Sequence, residues 1–77
     1  MNSTFMDVVG FLKNYADFNP EEVTMDSRMV EDLGVDSLSL IMMVDDAEQK
    51  FHIVIRDDQL MSLRTIGDVV RCVEEQN

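Results

Sequence analysis

Seventy-seven residues with 45% hydrophobic side chains are enough for one small domain and too apolar for a disordered acidic tail. Sixteen Asp and Glu against six Lys and Arg give a net charge of −10. That balance excludes a nucleic-acid binder, which needs a basic footprint, and favours partners with basic docking surfaces.

The first expected helix covers residues 4–16. Phe5, Val8, Val9, Leu12, Tyr15 and Ala16 recur at three- and four-residue spacing and form one apolar stripe. Thr4 and Asp7 have the spacing of a capping pair. Gly10, mid-helix, costs about 1 kcal/mol relative to Ala.

Residues 17–36 read as a long loop. Asn19-Pro20-Glu21-Glu22 is turn chemistry with Pro20 at the first position of a short turn. Val23, Met25, Met29, Val30 and Leu33 are spaced as anchors that pin the loop across the bundle. Its acids, Glu21, Glu22, Asp26, Glu31 and Asp32, read as solvated surface, since their spacing is not that of a calcium loop.

The loop ends in Glu31-Asp32-Leu33-Gly34-Val35-Asp36-Ser37-Leu38-Ser39-Leu40, a tight turn running into a helix. Gly34 can take backbone angles that other residues avoid, and Asp36 is a favoured N-cap. Ser37 therefore falls at a helix start, where free N–H groups and the helix dipole favour a phosphate ester. The helix runs from residue 37 to 50 or 51. Steps of 100° place Leu40, Met43, Val44, Ala47 and Phe51 on the core side. Leu38, Met42, Asp45 and Gln49 then lie opposite, with Ile41 and Glu48 at one edge and Asp46 at the other. That outer face is either covered by a neighbouring short helix or left open as a mixed apolar and acidic docking surface beside Ser37.

His52-Ile53-Val54-Ile55 is an extended connector, with His52 complementing the dipole at a helix end. Asp57-Asp58-Gln59-Leu60-Met61 makes a short third helix with Leu60, Met61 and Leu63 turned inward. A last helix covers residues 65–74, with Thr65 and Asp68 at capping spacing and Ile66, Val69, Val70 and Val73 as its stripe. Cys72 lies off the centre of that stripe as a passive, half-buried thiol. The seven methionines read mostly as flexible core filler.

The expected fold is all-α: a four-helix bundle with three main helices, a short third one, and a long loop between helices 1 and 2. A single cysteine excludes an internal disulfide, and no stretch reads as a signal peptide or approaches the ~18 apolar residues of a membrane span. A cytoplasmic monomer is expected. No paired acid and base, nucleophile with a His partner, phosphate-binding glycine loop or metal cluster is present, so the chain does not read as an enzyme.

Gly34-Val35-Asp36-Ser37-Leu38 after Glu31-Asp32-Leu33 resembles the Asp-Ser-Leu signature of acyl carrier proteins. The resemblance runs over residues 23–73 and takes in Glu48, Phe51 and Thr65-Ile66-Gly67-Asp68-Val69-Val70. It implies that Ser37, flanked by Asp36 and Leu38, carries 4′-phosphopantetheine placed there by a phosphopantetheinyl transferase. Acyl intermediates would ride on the arm's thiol as thioesters. Leu38, Ile41, Met42, Asp45 and Glu48 would dock acyl-transferring and chain-elongating enzymes of fatty-acid or related lipid metabolism. Met42 stands where fatty-acid-type carriers typically have an acid, and Ser39 where another is frequent. Arg56 replaces a usual proline, Asp45 and Asp46 replace apolar or small residues, and Ala47 a larger aliphatic one. These departures make a polyketide or other specialised acyl pathway the alternative, ahead of a peptidyl carrier. An unmodified acidic interaction module is the reading from another class.

Overall fold

The apolar stripes become helices whose buried faces converge on one core, in a computed structural model that describes residues 3–77. Helix α1 (Ser3–Leu12) buries Val8, Val9, Phe11 and Leu12. Helix α2 (Ser37–Phe51) buries Met43, Val44 and Ala47, while α4 (Ile66–Gln76) buries Ile66, Val69, Val70, Cys72 and Val73. Helix α3 (Asp57–Leu60) is a single turn, and α1 packs directly on α4. Among the described residues there is no strand. The expected bundle is the fold, and α2 has its expected bounds.

Helices α1 and α4 differ from their expected bounds. α1 already includes Ser3 and stops at Leu12, so it is not opened by the expected Thr4–Asp7 pair and falls short of residue 16. After Leu12 the backbone tightens: the N–H groups of Asn14 and Tyr15 donate three residues back, to Phe11 and Leu12. Lys13 reaches forward instead, donating to the Phe18 carbonyl at 2.6 Å and pairing with Asp17 at 3.5 Å. The turn aims Tyr15 at α2, where its hydroxyl donates to the Asp46 carboxylate. Burial, that hydrogen bond and the Asp46 charge together push the Tyr15 hydroxyl up to about 12. At the other end, α4 continues past residue 74 to Gln76. The Gln76 amide pairs with both backbone groups of Val54, at 2.8 and 2.9 Å, and so ties the last helix to the 53–56 connector.

The long loop is stitched to the start of α4. Met29 N–H donates to Arg64 at 2.9 Å, Ile66 N–H to Ser27 at 3.0 Å and Gly67 N–H to Met25 at 2.8 Å. Arg28 and Thr65 form an isolated antiparallel bridge. Met29 and Leu33 are buried anchors, as expected, and Val23 and Met25 pack at the core's edge. Val30 is not an anchor: it lies in the turn that follows the Arg28–Thr65 bridge and is exposed, while Met29 beside it is buried. Val35, not foreseen as an anchor, is buried.

His52 has a backbone role. It takes the left-handed conformation (φ 56°, ψ 50°), and its N–H and that of Ile53 both donate to Glu48, closing α2. Cys72 is buried rather than half-buried; burial raises its thiol's pKa, against the Gln76 hydrogen bond, which favours the thiolate. The methionines divide: Met29 and Met43 are core, whereas Met6, Met42 and Met61 are exposed. Met61 does not turn inward with Leu63, because α3 ends at Leu60 and the chain bends before Leu63 re-enters the core.

Candidate functional site

Ser37 is the first residue of α2, and three features hold it there. The carbonyl of Met29, one of the most deeply buried residues, accepts the Val35 N–H at 2.9 Å, so both ends of the 29–35 turn are anchored in the core. Gly34, at φ 80°, makes the bend that a side chain would strain. Asp36 then caps the helix, its carboxylate accepting the Leu38 N–H at 3.1 Å while its carbonyl accepts that of Leu40 at 2.9 Å.

The acids of this loop are not all idle surface. Asp32 accepts the Arg28 backbone N–H at 2.8 Å and both ends of its guanidinium fork at 3.2 Å, while Glu31 lies 3.6 Å from the same guanidinium. The side-chain hydrogen bond from Arg28, helped by its backbone N–H, holds the Asp32 carboxyl below the usual range. The signal was legible as an Arg and an Asp four residues apart, but such spacing is read on helices, and this is a turn.

The result is an exposed Ser37 hydroxyl at a helix N-terminus whose first turn contains no acid. Asp36 accepts from one of the four amides that an α-helix leaves unpaired at its start. The others, and the dipole, are available to a phosphate on Ser37. The residues present therefore fit a phosphodiester at this hydroxyl.

Beyond Ser37, the outer face of α2 is apolar and open. Leu38, Ile41 and Met42 are 69%, 57% and 62% exposed, so no neighbouring helix covers them. Asp45 is exposed on the same side. Glu48 is placed differently from the rest: its carboxylate accepts the Ile55 N–H at 2.7 Å and so braces the connector.

On the flank of α2, one turn from Ser37, Leu40 borders an open cavity of about 580 Å³. Val30, Leu60, Met61 and Leu63 supply the rest of its apolar lining, and Glu31 and Arg64 stand at its rim. Sequence reasoning missed this cavity, because it forms where the loop, α2 and α3 meet and no one segment signals it. Among the described residues no group of three or more His, Cys, Asp or Glu is arranged to hold a metal ion.

Comparison with known proteins covers most of the chain. Residues 7–73 match the family described as "Phosphopantetheine attachment site". The chain is 43% identical over 70 residues to the acyl carrier protein of Wolinella succinogenes, covering 91% of this chain and 92% of that one. It is 49% identical over 55 residues to that of Exiguobacterium sibiricum, covering 71% and 70%. Among solved structures, the acyl carrier protein from Enterococcus faecalis superposes with a TM-score of 0.83 over 97% of this chain and 95% of that one, at 24% identity; it supports the fold.

Proposed function

The chain belongs to the acyl carrier proteins, and from that premise we propose that Ser37 is its attachment residue, with Asp36 and Leu38 forming the helix start around it. The family's members are carriers, not enzymes: the 4′-phosphopantetheine group supplies a terminal thiol that holds acyl groups as thioesters. The observation supporting Ser37 is its exposed hydroxyl at a capped helix start free of first-turn acids. Ser27, Ser39 and Ser62 lack that setting, lying respectively in the loop, inside α2 and after α3, and Ser3, in the first turn of α1, lacks the preceding Asp and the following Leu. The protein's own contribution is positional. A rigid bundle holds the anchor while the arm raises the local concentration of cargo at a docked enzyme.

The 580 Å³ cavity is the reading for acyl shelter, since its apolar lining starts one turn from Ser37 and would remove a chain from water. Docking falls to Leu38, Ile41, Met42 and Asp45, the exposed part of α2, with Glu48 contributing its charge from the edge. Partners are the phosphopantetheinyl transferase and acyl-processing enzymes with basic docking patches, the latter suited to a carrier of charge −10. We place the chain, as a single-domain monomer, in fatty-acid synthesis, with a polyketide or other specialised pathway favoured by the apolar Met42. Its location is the cytoplasm, where the arm's thiol stays reduced; no helix among the described residues is long and apolar enough to cross a membrane.

The test is intact mass after co-expression with a transferase. Wild type gains one prosthetic group and Ser37→Ala gains none. A modified Ser37→Ala protein would overturn the assignment, and an unmodified wild type would favour a plain interaction module.

A further inference from the structure

The Lys and Arg side chains are few, and among the described residues all but one are occupied. Lys13 pairs with Asp17, Arg28 with Glu31 and Asp32, Arg56 with Asp58, and Arg71 with Asp68. Lys50 lies over the Phe51 ring. Arg64 alone, among the described residues, has neither an acid nor a ring for its side chain, although the protein carries sixteen acids. Its backbone is fixed at both ends: its N–H donates to Asp68 at 2.9 Å and its carbonyl accepts from Met29 at 2.9 Å. A firmly held residue thus presents an unengaged five-donor head, and it does so at the rim of the cavity lined by Val30, Leu40, Leu60, Met61 and Leu63.

We infer that Arg64 determines which acyl groups this cavity prefers, donating to a hydroxyl or keto oxygen on the tethered chain and so favouring oxygenated chains over saturated ones. The inference deepens the carrier reading and rests on it. A purely apolar chain would fill the lining but leave the guanidinium with water alone. An oxygen on that chain gives it a hydrogen-bond acceptor held beside it by the apolar lining. Glu31 shares the rim, so a carboxylate is disfavoured by charge while a hydroxyl could also donate to it. The competing source of oxygen is the arm's own phosphate, and the experiment separates the two.

Prepare the apo protein, the holo protein, and the holo protein loaded with an octanoyl chain or with the same chain bearing a hydroxyl. Follow the Arg64 Nε–H resonance by NMR and the rate of spontaneous thioester hydrolysis, in wild type and in Arg64→Met. Arg64 is exposed and its side chain contacts no acid or ring, so the variant keeps the fold. The expected result is an Nε–H shift on loading the hydroxylated chain only. Hydrolysis of that thioester should quicken by about three- to tenfold in Arg64→Met, the worth of one ordinary solvent-exposed hydrogen bond, while the octanoyl rate stays unchanged. A shift on passing from apo to holo would assign Arg64 to the phosphate and overturn the inference. So would equal shifts, or equal rate changes, for both chains. Failure of wild type to take up the prosthetic group would defeat the carrier reading itself, and this inference with it. A loaded protein with a silent Arg64 would overturn only the inference.

Discussion

At the start of α4, Thr65 accepts the Asp68 N–H at 3.1 Å while the Asp68 carboxylate accepts the N–H groups of Thr65 and Arg64 at 3.0 and 2.9 Å. The long loop then closes over that turn, with Gly67 N–H bonded to Met25. At the start of α2, Asp36 caps a single amide, no acid follows in the first turn, and Ser37 and Leu38 face solvent. Both ends use an N-cap of a favoured type. One has its free amides satisfied by protein and serves as the floor on which the loop is laid. The other keeps amides free, which costs stability and leaves a place for a phosphate. These two helix starts thus differ: one is built into the fold, and the other stays open, the setting from which the attachment at Ser37 is proposed.

The sharpest way to break the contrast is through glycine. A methyl group on Gly67 would stand 2.9 Å from the Met25 carbonyl oxygen, a backbone atom that cannot swing aside. Gly→Ala inside a helix ordinarily stabilises by up to about 1 kcal/mol, but overpacking of this kind costs about 1–3 kcal/mol and wins. Gly67→Ala should lower the unfolding free energy by one to a few kcal/mol on that basis. Gly10→Ala in α1, where nothing lies within 4 Å, should raise it by up to about 1 kcal/mol. Urea titration of both proteins checks the pair. Equal signs would mean that the loop is not seated on α4.

The caps give the next effect. Thr65→Ala should cost about 0.5–2 kcal/mol, and Asp36→Ala no more than that, with one amide released instead of a reciprocal pair. Asp68 adds a pH signature. Burial opposes its ionisation, but the Thr65 and Arg64 amides, Arg71 and the Thr65 hydroxyl prevail and hold its carboxyl below the usual range. A depressed folded pKa contributes stability above the ordinary Asp value of about 3.9, and that stability is lost as pH falls through the folded value. The melting-temperature gap between wild type and Asp68→Asn should therefore be full at neutral pH and close in acid. A gap that persists below the folded pKa would show that the cap is held by packing rather than charge.

Local chemistry was legible in the sequence wherever one element decided it. The apolar stripe of α4, the cap and bounds of α2, the exposed Leu38, Ile41 and Met42, and the turn at Pro20 all follow from spacing and residue type. The same holds for the Thr65–Asp68 pair, whose reciprocal hydrogen bonds were expected from a spacing of three. What escaped lay between elements. Lys13 and Tyr15 leave the helical path for partners on the next loop and on α2. Met61 looked apolar enough to be inward, yet α3 is too short to carry it there. Val30 and Val35 differ in burial because of which neighbour bonds to α4 and to Met29, a fact of tertiary contact. The cavity that Arg64 borders has the same origin, being made by three segments at once.

The smallest effect sharpens the open side of the comparison. Met42 is 62% exposed next to Leu38 and Ile41, so a docking enzyme has apolar area there to cover. Full burial of a methionine is worth about 1.5–3 kcal/mol, whereas an exposed ion pair contributes about 0–1 kcal/mol. Docking through this face should therefore rest more on apolar contact than on charge, and its affinity should fall only gently as salt screens Asp45 and its neighbours over a Debye length of about 10 Å at 0.1 M. Replacing Met42 by Glu removes the apolar part and adds a screened charge. Affinity for a partner that buries Met42 should drop by about tenfold, the equivalent of 1.4 kcal/mol, and its salt dependence should steepen. For an enzyme whose patch presents a cation at that point, the same variant should bind more tightly at low salt and lose the gain at high salt. Binding measured for both holo-proteins across a salt series decides the matter, and an unchanged affinity and slope would place Met42 outside the docking footprint.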